Sequence, residues 1–189
     1  EYPHGIIDDI CALGALGVKH NIPVHVDACV GGYLLPFMVQ AGADLPPFDF
    51  LVPGVTSMSA DIHKYGFASK GCSCIIYKNL DLFKYQCFVH PNWPGGLFAS
   101  PAFLGTRPGG AYAAAWAAIQ ANGRQGYIEM AKQTMANADR IREGIRSFEE
   151  LEIIGDPKCS LVAYRSKDPY NVNIFAVGDI MPYRIQRRI

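Results

Sequence analysis

Helical and extended patterns of hydrophobic and polar positions alternate along the first 80 residues of the chain. The segment after Asp8 or Asp9 predicts a helix that runs to about His20. A short buried strand follows in "IPVHVD", and a glycine-containing turn then leads into an apolar helix. Two more strands are predicted, one in "LVPGVTSMSAD" that ends near Ser59 and one in "GCSCIIYKN". This alternation indicates an α/β protein with a mainly parallel sheet.

The pattern changes in the second half of the chain. The segment "WPGGLFASPAFLGTRPGG", from Trp93 to Gly110, predicts a loop. An alanine-rich helix follows in "AYAAAWAAIQAN", and a long amphipathic helix is predicted from about Arg124 to Phe148. "LEIIG" and "CSLVAYRS" are typical of strands, and "YNVNIFAVGDIM" is typical of a helix. Neither end closes a domain, so we interpret the sequence as a fragment, or as a reading frame that shifts near Met181.

Composition and charge exclude several classes of function. Of the 189 residues, 50% are hydrophobic and 18% are charged, and the formal net charge is zero. This balance does not indicate binding to nucleic acid or to an anionic membrane. No apolar run approaches the ~20 residues that span a bilayer, and the first residues do not resemble a signal peptide. The six cysteines are interpreted as free thiols in a reducing compartment, and their spacing predicts no metal site.

Polar residues cluster at two predicted strand ends, where ligands bind in open α/β sheets. One cluster contains His25 and Asp27, and the other runs from Ser59 to Lys64. An acid and a lysine at such positions fit pyridoxal 5'-phosphate (PLP), because the amine forms a Schiff base with the aldehyde and the carboxylate keeps the ring nitrogen protonated. The alternative is that Asp27 caps the following helix and Lys64 is a solvated loop residue.

Longer motifs in the sequence resemble those of one particular family. "HVDACVGGYLLPF" resembles the strand and turn of the PLP-dependent group II decarboxylase family. "VTSMSADIHKYGFASKG" and "WPGGLFASPAFLGTRPGG" resemble the branch of that family that cleaves phosphorylated sphingoid bases, and "YPHGIID" matches as well. The resemblance covers residues 1 to about 180. It implies fold type I, the aspartate aminotransferase-like fold of PLP-dependent transferases, with residues 1–148 in the large PLP-binding domain and residues 149–189 as the truncated start of the small C-terminal domain.

The resemblance also implies roles for individual residues. Lys64 matches the Schiff-base lysine and is the predicted catalytic residue, and Asp27 matches the acid on the pyridine nitrogen. His63 is placed near the cofactor phosphate. Lys70 is placed near the substrate phosphate, where an ammonium suits the charge, with an ordinary surface lysine as the alternative.

The other candidates have structural alternatives. His25 either orients Asp27 or lines the ring pocket, or it is a buried hydrogen-bonded histidine. Asp61 either fixes His63 or turns the loop. The predicted cofactor-binding residues are therefore Lys64, Asp27, His63, His25, Cys29 and Asp61.

The sequence leaves two alternative roles for each of three further residues. Cys29 packs near the ring or belongs to the core alone, and Tyr65 reaches the site or packs locally. Arg107 reaches the active site of a neighbouring subunit or is a structural loop arginine. The predicted substrate-binding residues are Lys70, Arg107 and Tyr65.

The implied reaction is a retro-aldol cleavage of sphingosine 1-phosphate and related phosphorylated long-chain bases into a fatty aldehyde and phosphoethanolamine. The resemblance further implies a homodimer in the full-length protein, on the cytosolic face of the endoplasmic reticulum membrane, held by an anchor that this sequence lacks. The alternatives are a PLP-dependent amino-acid decarboxylase and a truncated, non-catalytic product. Lys70 and the Trp93–Gly110 block favour the lyase, and the missing glycine-rich phosphate cup favours the truncated product.

Overall fold

The computed structural model describes residues 1–186, so the last three residues of the predicted second domain lie outside the described residues. Backbone contacts divide the chain into two compact units. One unit is Asp9–Ala131, and the other combines Glu1–Asp8 with the chain from Lys132 onward. The domain boundary predicted after residue 148 stays a prediction.

The first helix, α1 (Ile10–His20), has the ends that the sequence predicts. The Asp9 side chain accepts a hydrogen bond from the backbone N–H of Ala12 at 2.9 Å, which satisfies one of the free donors of the first turn. Asn21 ends the helix in the left-handed conformation, at φ 53°. Asparagine tolerates that conformation better than most residues do.

A three-stranded sheet forms the centre of the Asp9–Ala131 unit. Its strands are β1 (Val24–Asp27), β2 (Val55–Ala60) and β3 (Cys74–Tyr77), in the order β1-β2-β3. β1 and β2 are parallel, because a 3-10 turn (Gly31–Tyr33) and helix α2 (Leu35–Gln40) carry the chain back between them. β3 is antiparallel to β2, because only a loop joins them. The parallel pairing that the sequence predicts is thus found at β1 and β2.

Buried apolar residues hold the β2–β3 loop in place. Ile62 and Cys72, at the two ends of that loop, pack with Ala115 in one buried cluster. Leu34, and Val55 at the start of β2, are almost completely buried. The loop that carries Lys64 is therefore anchored at both ends in the core.

The predicted loop from Trp93 to Gly110 is wrong over its first part. After a short helix, α3 (Leu80–Phe83), the chain forms a hairpin of β4 (Phe88–Trp93) and β5 (Gly96–Ser100). The glycines that suggested a loop make the hairpin turn, and Gly96 has the positive φ, 108°, that such turns favour. The strand residues are exposed on both faces except Ser100, so they lack the alternation of a half-buried strand.

The two predicted helices of the second half form one element, α4 (Gly109–Arg146). A kink at Gly123, with φ 56° and ψ 179°, divides it close to the predicted start of the second helix. That backbone conformation is essentially restricted to glycine, so the kink is fixed by the residue type.

In the other unit, β6 (Leu151–Ile153) and β7 (Tyr164–Ser166) form an antiparallel pair, followed by helix α5 (Ile174–Gln186). The backbone N–H groups of Lys158 and Cys159 both donate to the Gly5 carbonyl, which ties the first residues into this unit. The strand predicted in "CSLVAYRS" is confirmed only over its last three residues. Among the described residues, no helix is both long and apolar enough to cross a membrane.

Candidate active site

The parallel register of β1 and β2 brings polar side chains together at the C-terminal edge of the sheet. Asp27 lies opposite Ser59, and His25 lies opposite Ser57. The Ser59 hydroxyl donates to Asp27 Oδ1 at 2.8 Å, and the Cys29 backbone N–H donates to the same oxygen at 3.1 Å. His25 Nδ1 lies 2.8 Å from Ser57 Oγ. His25 is exposed and bonded to Ser57, so it is not the buried histidine of the structural alternative.

These hydrogen bonds set the charge of Asp27. The Ser59 hydroxyl, followed by the Cys29 backbone N–H, lowers the pKa of the Asp27 carboxyl below its usual range. Asp27 is therefore anionic at neutral pH. It caps neither the 3-10 turn nor α2, whose N-cap residues are Val30 and Leu34. The carboxylate is free of the helix-capping role that the sequence left open.

The loop after β2 pairs Lys64 with Asp61. Lys64 Nζ lies 2.7 Å from Asp61 Oδ2, and the Ser73 hydroxyl donates to Asp61 Oδ1. His63 Nε2 is 3.7 Å from Asp61 Oδ2, and His63 Nδ1 donates to the Cys72 carbonyl at 2.6 Å. Asp61 therefore contacts Lys64 more closely than His63, which it was expected either to fix or to leave while turning the loop.

The ion pair between Lys64 and Asp61 shifts the pKa of both residues. The hydrogen bond that Lys64 donates to Asp61 is the largest cause that raises the pKa of Lys64, and the Cys29 side chain is the next. Partial burial acts to raise the pKa of Asp61, but the hydrogen bonds from Lys64 and Ser73 outweigh it and the pKa is lowered. Both groups are thus charged at neutral pH.

Cys29 joins the two halves of the site. Its backbone N–H donates to Asp27 and its carbonyl accepts from the Asp61 N–H at 3.2 Å, while Asp61 in turn pairs with Lys64. The structure thus places the predicted carboxylate and the predicted lysine at one edge of the sheet, around a single cysteine.

Two of the three predicted substrate-binding residues, Lys70 and Arg107, are exposed outside helices and strands. Lys70 is exposed at a turn before Gly71. Arg107 is exposed and donates to the carbonyl of Leu104 within its own loop. Tyr65 makes an edge-on contact with the Phe67 ring, with centroids 6.3 Å apart.

Sequence reasoning gave no role to four residues that support the site, namely Ser57, Ser59, Ser73 and Tyr127, although Ser59 begins the second polar cluster. A signal existed for the first two, since serines alternate on β2 at the same period as His25 and Asp27 on β1. No local signal pointed to Tyr127, whose buried hydroxyl donates to the Gly66 carbonyl at 2.8 Å across 61 residues.

The donor set fits the cofactor that the sequence suggested. An amine is available for the aldehyde at Lys64, and an anionic carboxylate is available for a protonated ring nitrogen at Asp27. Both lie where ligands bind in open α/β sheets. Fold and site together define the class of α/β enzymes that hold PLP through a lysine.

Comparison with a family model narrows this class. Residues 4–167 match the pyridoxal-dependent decarboxylase conserved domain, and the chain belongs to this family. It is 47% identical over 181 residues to the sphingosine-1-phosphate lyase of Dictyostelium discoideum, covering 96% of this chain and 33% of that protein. It is 48% identical over 182 residues to sphingosine-1-phosphate lyase 1 of Rattus norvegicus, covering 96% of this chain and 32% of that protein. The chain spans about a third of the length of these relatives.

Solved structures agree on the fold, which is fold type I. The sphingosine-1-phosphate lyase of Burkholderia pseudomallei superposes with a TM-score of 0.85 at 41% identity, over 92% of this chain and 40% of that one. The glutamate decarboxylase of Lactobacillus brevis superposes with a TM-score of 0.73 at 23% identity, over 88% of this chain and 38% of that one. The second likeness concerns the fold alone.

Proposed function

We propose that this chain carries the cofactor-binding lysine and carboxylate of a PLP-dependent carbon–carbon lyase that cleaves sphingosine 1-phosphate and related phosphorylated long-chain bases. The observation that carries the proposal is that Asp27 and the Asp61–Lys64 pair lie at one sheet edge, where the Cys29 backbone hydrogen-bonds to Asp27 and to Asp61. Identities near 47% to sphingosine-1-phosphate lyases, along almost the whole chain, support this substrate class.

Asp27 and Lys64 have different roles in such a reaction. PLP, when bound, supplies an electron sink for the carbon next to the substrate nitrogen, where the C2–C3 bond is broken. Asp27, held anionic by Ser59 and Cys29, pairs with the protonated ring nitrogen. Lys64 would hold the cofactor aldehyde through its amine, and the free amine would hold a proton near the reacting atoms.

Remaining residues are assigned from the family resemblance. We propose that His63 lies near the cofactor phosphate and that Lys70 pairs with the substrate phosphate from its exposed turn. We further propose that Arg107 acts across a homodimer, and that the full-length protein works on the cytosolic face of the endoplasmic reticulum membrane. The products are a fatty aldehyde and phosphoethanolamine.

A trapping experiment on the 189-residue chain tests the cofactor role. The chain is incubated with PLP, reduced with borohydride and digested, and the pyridoxyl peptide is located by mass. We expect the label on Lys64 and its loss in Lys64→Arg, which keeps a positive charge beside Asp61 without the primary amine. Label spread over exposed lysines with no preference for Lys64 would contradict the proposal.

The substrate class is tested in a protein that has the full length of this chain's relatives. Release of fatty aldehyde from a phosphorylated long-chain base, with little from the unphosphorylated base, is the expected result. Lys70→Ala should raise the KM for the phosphorylated base and leave the reaction of the unphosphorylated base unchanged. Release of carbon dioxide from an amino acid, without aldehyde, would favour the decarboxylase alternative.

A further inference from the structure

The carboxylate of Asp61 is held more rigidly than the lysine that it contacts. Ala60 and Cys74 are paired in the antiparallel ladder of β2 and β3, so Asp61 and Ser73 stand on adjoining positions at the end of that ladder. The Asp61 N–H donates to the Cys29 carbonyl at 3.2 Å. The backbone of Asp61 is therefore held by the segment after β1, and its side chain by the residue before β3.

Each oxygen of Asp61 has its own partner. Oδ1 accepts from the Ser73 hydroxyl, and Oδ2 lies 2.7 Å from Lys64 Nζ. The Asp61 side chain is 12% exposed, whereas that of Lys64 is 38% exposed. A long flexible side chain thus meets a short carboxylate whose orientation is already set from the other side.

We infer that Asp61, oriented by Ser73, is a positioning residue that holds the free amine of Lys64 at the sheet edge as an ammonium whenever the amine is not bound to the cofactor. This inference rests on the proposed function. It gives Asp61 a role different from both sequence alternatives, which were to fix His63 or to turn the loop. It also adds Ser73, which the sequence did not single out, to the site.

Loading of the cofactor requires Lys64 to lose a proton, so the position of Asp61 controls the pH at which the amine becomes reactive. The groups that face the Lys64 amine are Asp61 from its own loop and Cys29 from the segment after β1. His63 reaches the same carboxylate oxygen at 3.7 Å, and Asp27 contacts Cys29. Of these, Asp61 is the anion in direct contact with the amine.

The first measurement needs no cofactor. Trace acetic anhydride labels the deprotonated amine of each lysine, and mass spectrometry gives the labelling rate of Lys64 against pH in the 189-residue chain. In Asp61→Asn we expect the midpoint for Lys64 to fall, with about tenfold faster labelling at neutral pH for each unit of that fall. The exposed Lys70, in the same chain, is the internal control and its midpoint should not move.

A second pair of variants keeps the test valid if Asp61→Asn fails to fold. Ser73→Ala removes the hydroxyl that orients Asp61, and we expect a smaller fall of the Lys64 midpoint. Ser73→Thr keeps the hydroxyl and should retain the midpoint of the unmodified chain. A role in packing alone would not separate these two variants by pH midpoint.

The same proteins are then exposed to PLP and borohydride at several pH values. Pyridoxyl label on Lys64 that appears at lower pH in Asp61→Asn than in the unmodified chain supports the inference. Label on Lys64 with the same pH dependence in both proteins, and an unchanged acylation midpoint, would overturn it while leaving the proposed function intact. No preferential label on Lys64 of the unmodified chain at any pH would instead overturn the proposed function.

Discussion

At the scale of single residues, Asp27 offers a way to separate charge from geometry. Both hydrogen bonds, from the Ser59 hydroxyl and the Cys29 N–H, reach Oδ1. An asparagine at this position keeps an oxygen acceptor for them while it removes the negative charge. The substitution therefore tests the electrostatic role of the carboxylate with little change in local structure.

For Asp27→Asn in a protein of full family length, we expect turnover to fall on the order of 10²-fold or more, because the ring nitrogen loses its anionic partner. Cofactor should still be trapped on Lys64. Turnover with saturating PLP and the yield of pyridoxyl peptide are the two measurements. Unchanged turnover would show that Asp27 does not serve the ring nitrogen.

The ion pair of Asp61 and Lys64 predicts a pH dependence of stability. Because the pKa of Asp61 is lowered, its contribution is present above the unfolded value, about 4, and is lost as the pH falls through the folded value. Because the pKa of Lys64 is raised, its contribution is present below about 10.4 and is lost as the pH rises through the folded value.

Asp61→Asn should therefore lower the free energy of unfolding by roughly 0.5–1 kcal/mol near pH 7, the range of a partly exposed pair. The difference from the unmodified chain should shrink as the pH falls through the folded value of Asp61, which lies below about 4, and as it rises through the folded value of Lys64, which lies above about 10.4. Urea unfolding at several pH values measures it. An equal difference at every pH would assign the loss to packing instead of charge.

At the scale of elements, α4 supports the lysine loop through Tyr127. The Tyr127 ring stacks on Phe37, with centroids 5.0 Å apart, and its hydroxyl donates to the Gly66 carbonyl. Tyr127→Phe keeps the ring and leaves the buried carbonyl without this donor, so we expect a loss of about 1 kcal/mol in the free energy of unfolding. Tyr112→Phe, on an exposed side chain of the same helix, is the matched control and should change little. Equal urea midpoints for the two variants would contradict this role.

The kink in α4 gives a second prediction for this element. An added Cβ at Gly123 meets no atom within 4 Å, so Gly123→Ala is opposed only by the backbone conformation, at a cost of about 1–3 kcal/mol. Gly126→Ala, in a regular helical position, should instead stabilise by about 0.5–1 kcal/mol. Opposite shifts of the urea midpoint are expected, and shifts of the same sign would contradict the conformational explanation.

Whether an element was predicted correctly depends on whether neighbouring residues in the sequence determine it. The cap at Asp9, the strand that ends at Asp27 and the segment around Lys64 depend on neighbouring residues, and the sequence predicts them. The β4–β5 hairpin was missed because its strands have no buried face to impose an alternating pattern. The partnership of Asp61 with Lys64 in place of His63 depends on side-chain orientation, which residue spacing does not determine.

At the scale of the whole molecule, a large apolar surface remains exposed for a chain that is a third as long as its relatives. On the β4–β5 hairpin, Phe88, Trp93 and Leu97 are each more than half exposed. Exposed apolar surface of this kind promotes association. We therefore expect the isolated chain to self-associate through the hairpin as its concentration rises.

Substitution on the hairpin tests this expectation. Leu97→Lys replaces a side chain that is 71% exposed, and it should lower the apparent mass in static light scattering at a given concentration. Asn92→Lys adds the same charge on the partner strand without removing apolar surface, and it is the matched control. Equal effects of the two variants would assign any change to charge alone.

Two backbone hydrogen bonds limit the motion of the loop that carries Lys64. The His63 N–H donates to the Cys72 carbonyl and the Ala68 N–H donates to the Ile62 carbonyl, so the two bonds close the loop across its base. Neither amide can exchange its hydrogen for deuterium until that base opens, and the core contacts of Ile62 and Cys72 make the base open as one unit. The exchange rates of these two amides therefore report how often the whole loop, with Lys64 on it, leaves the edge of the sheet.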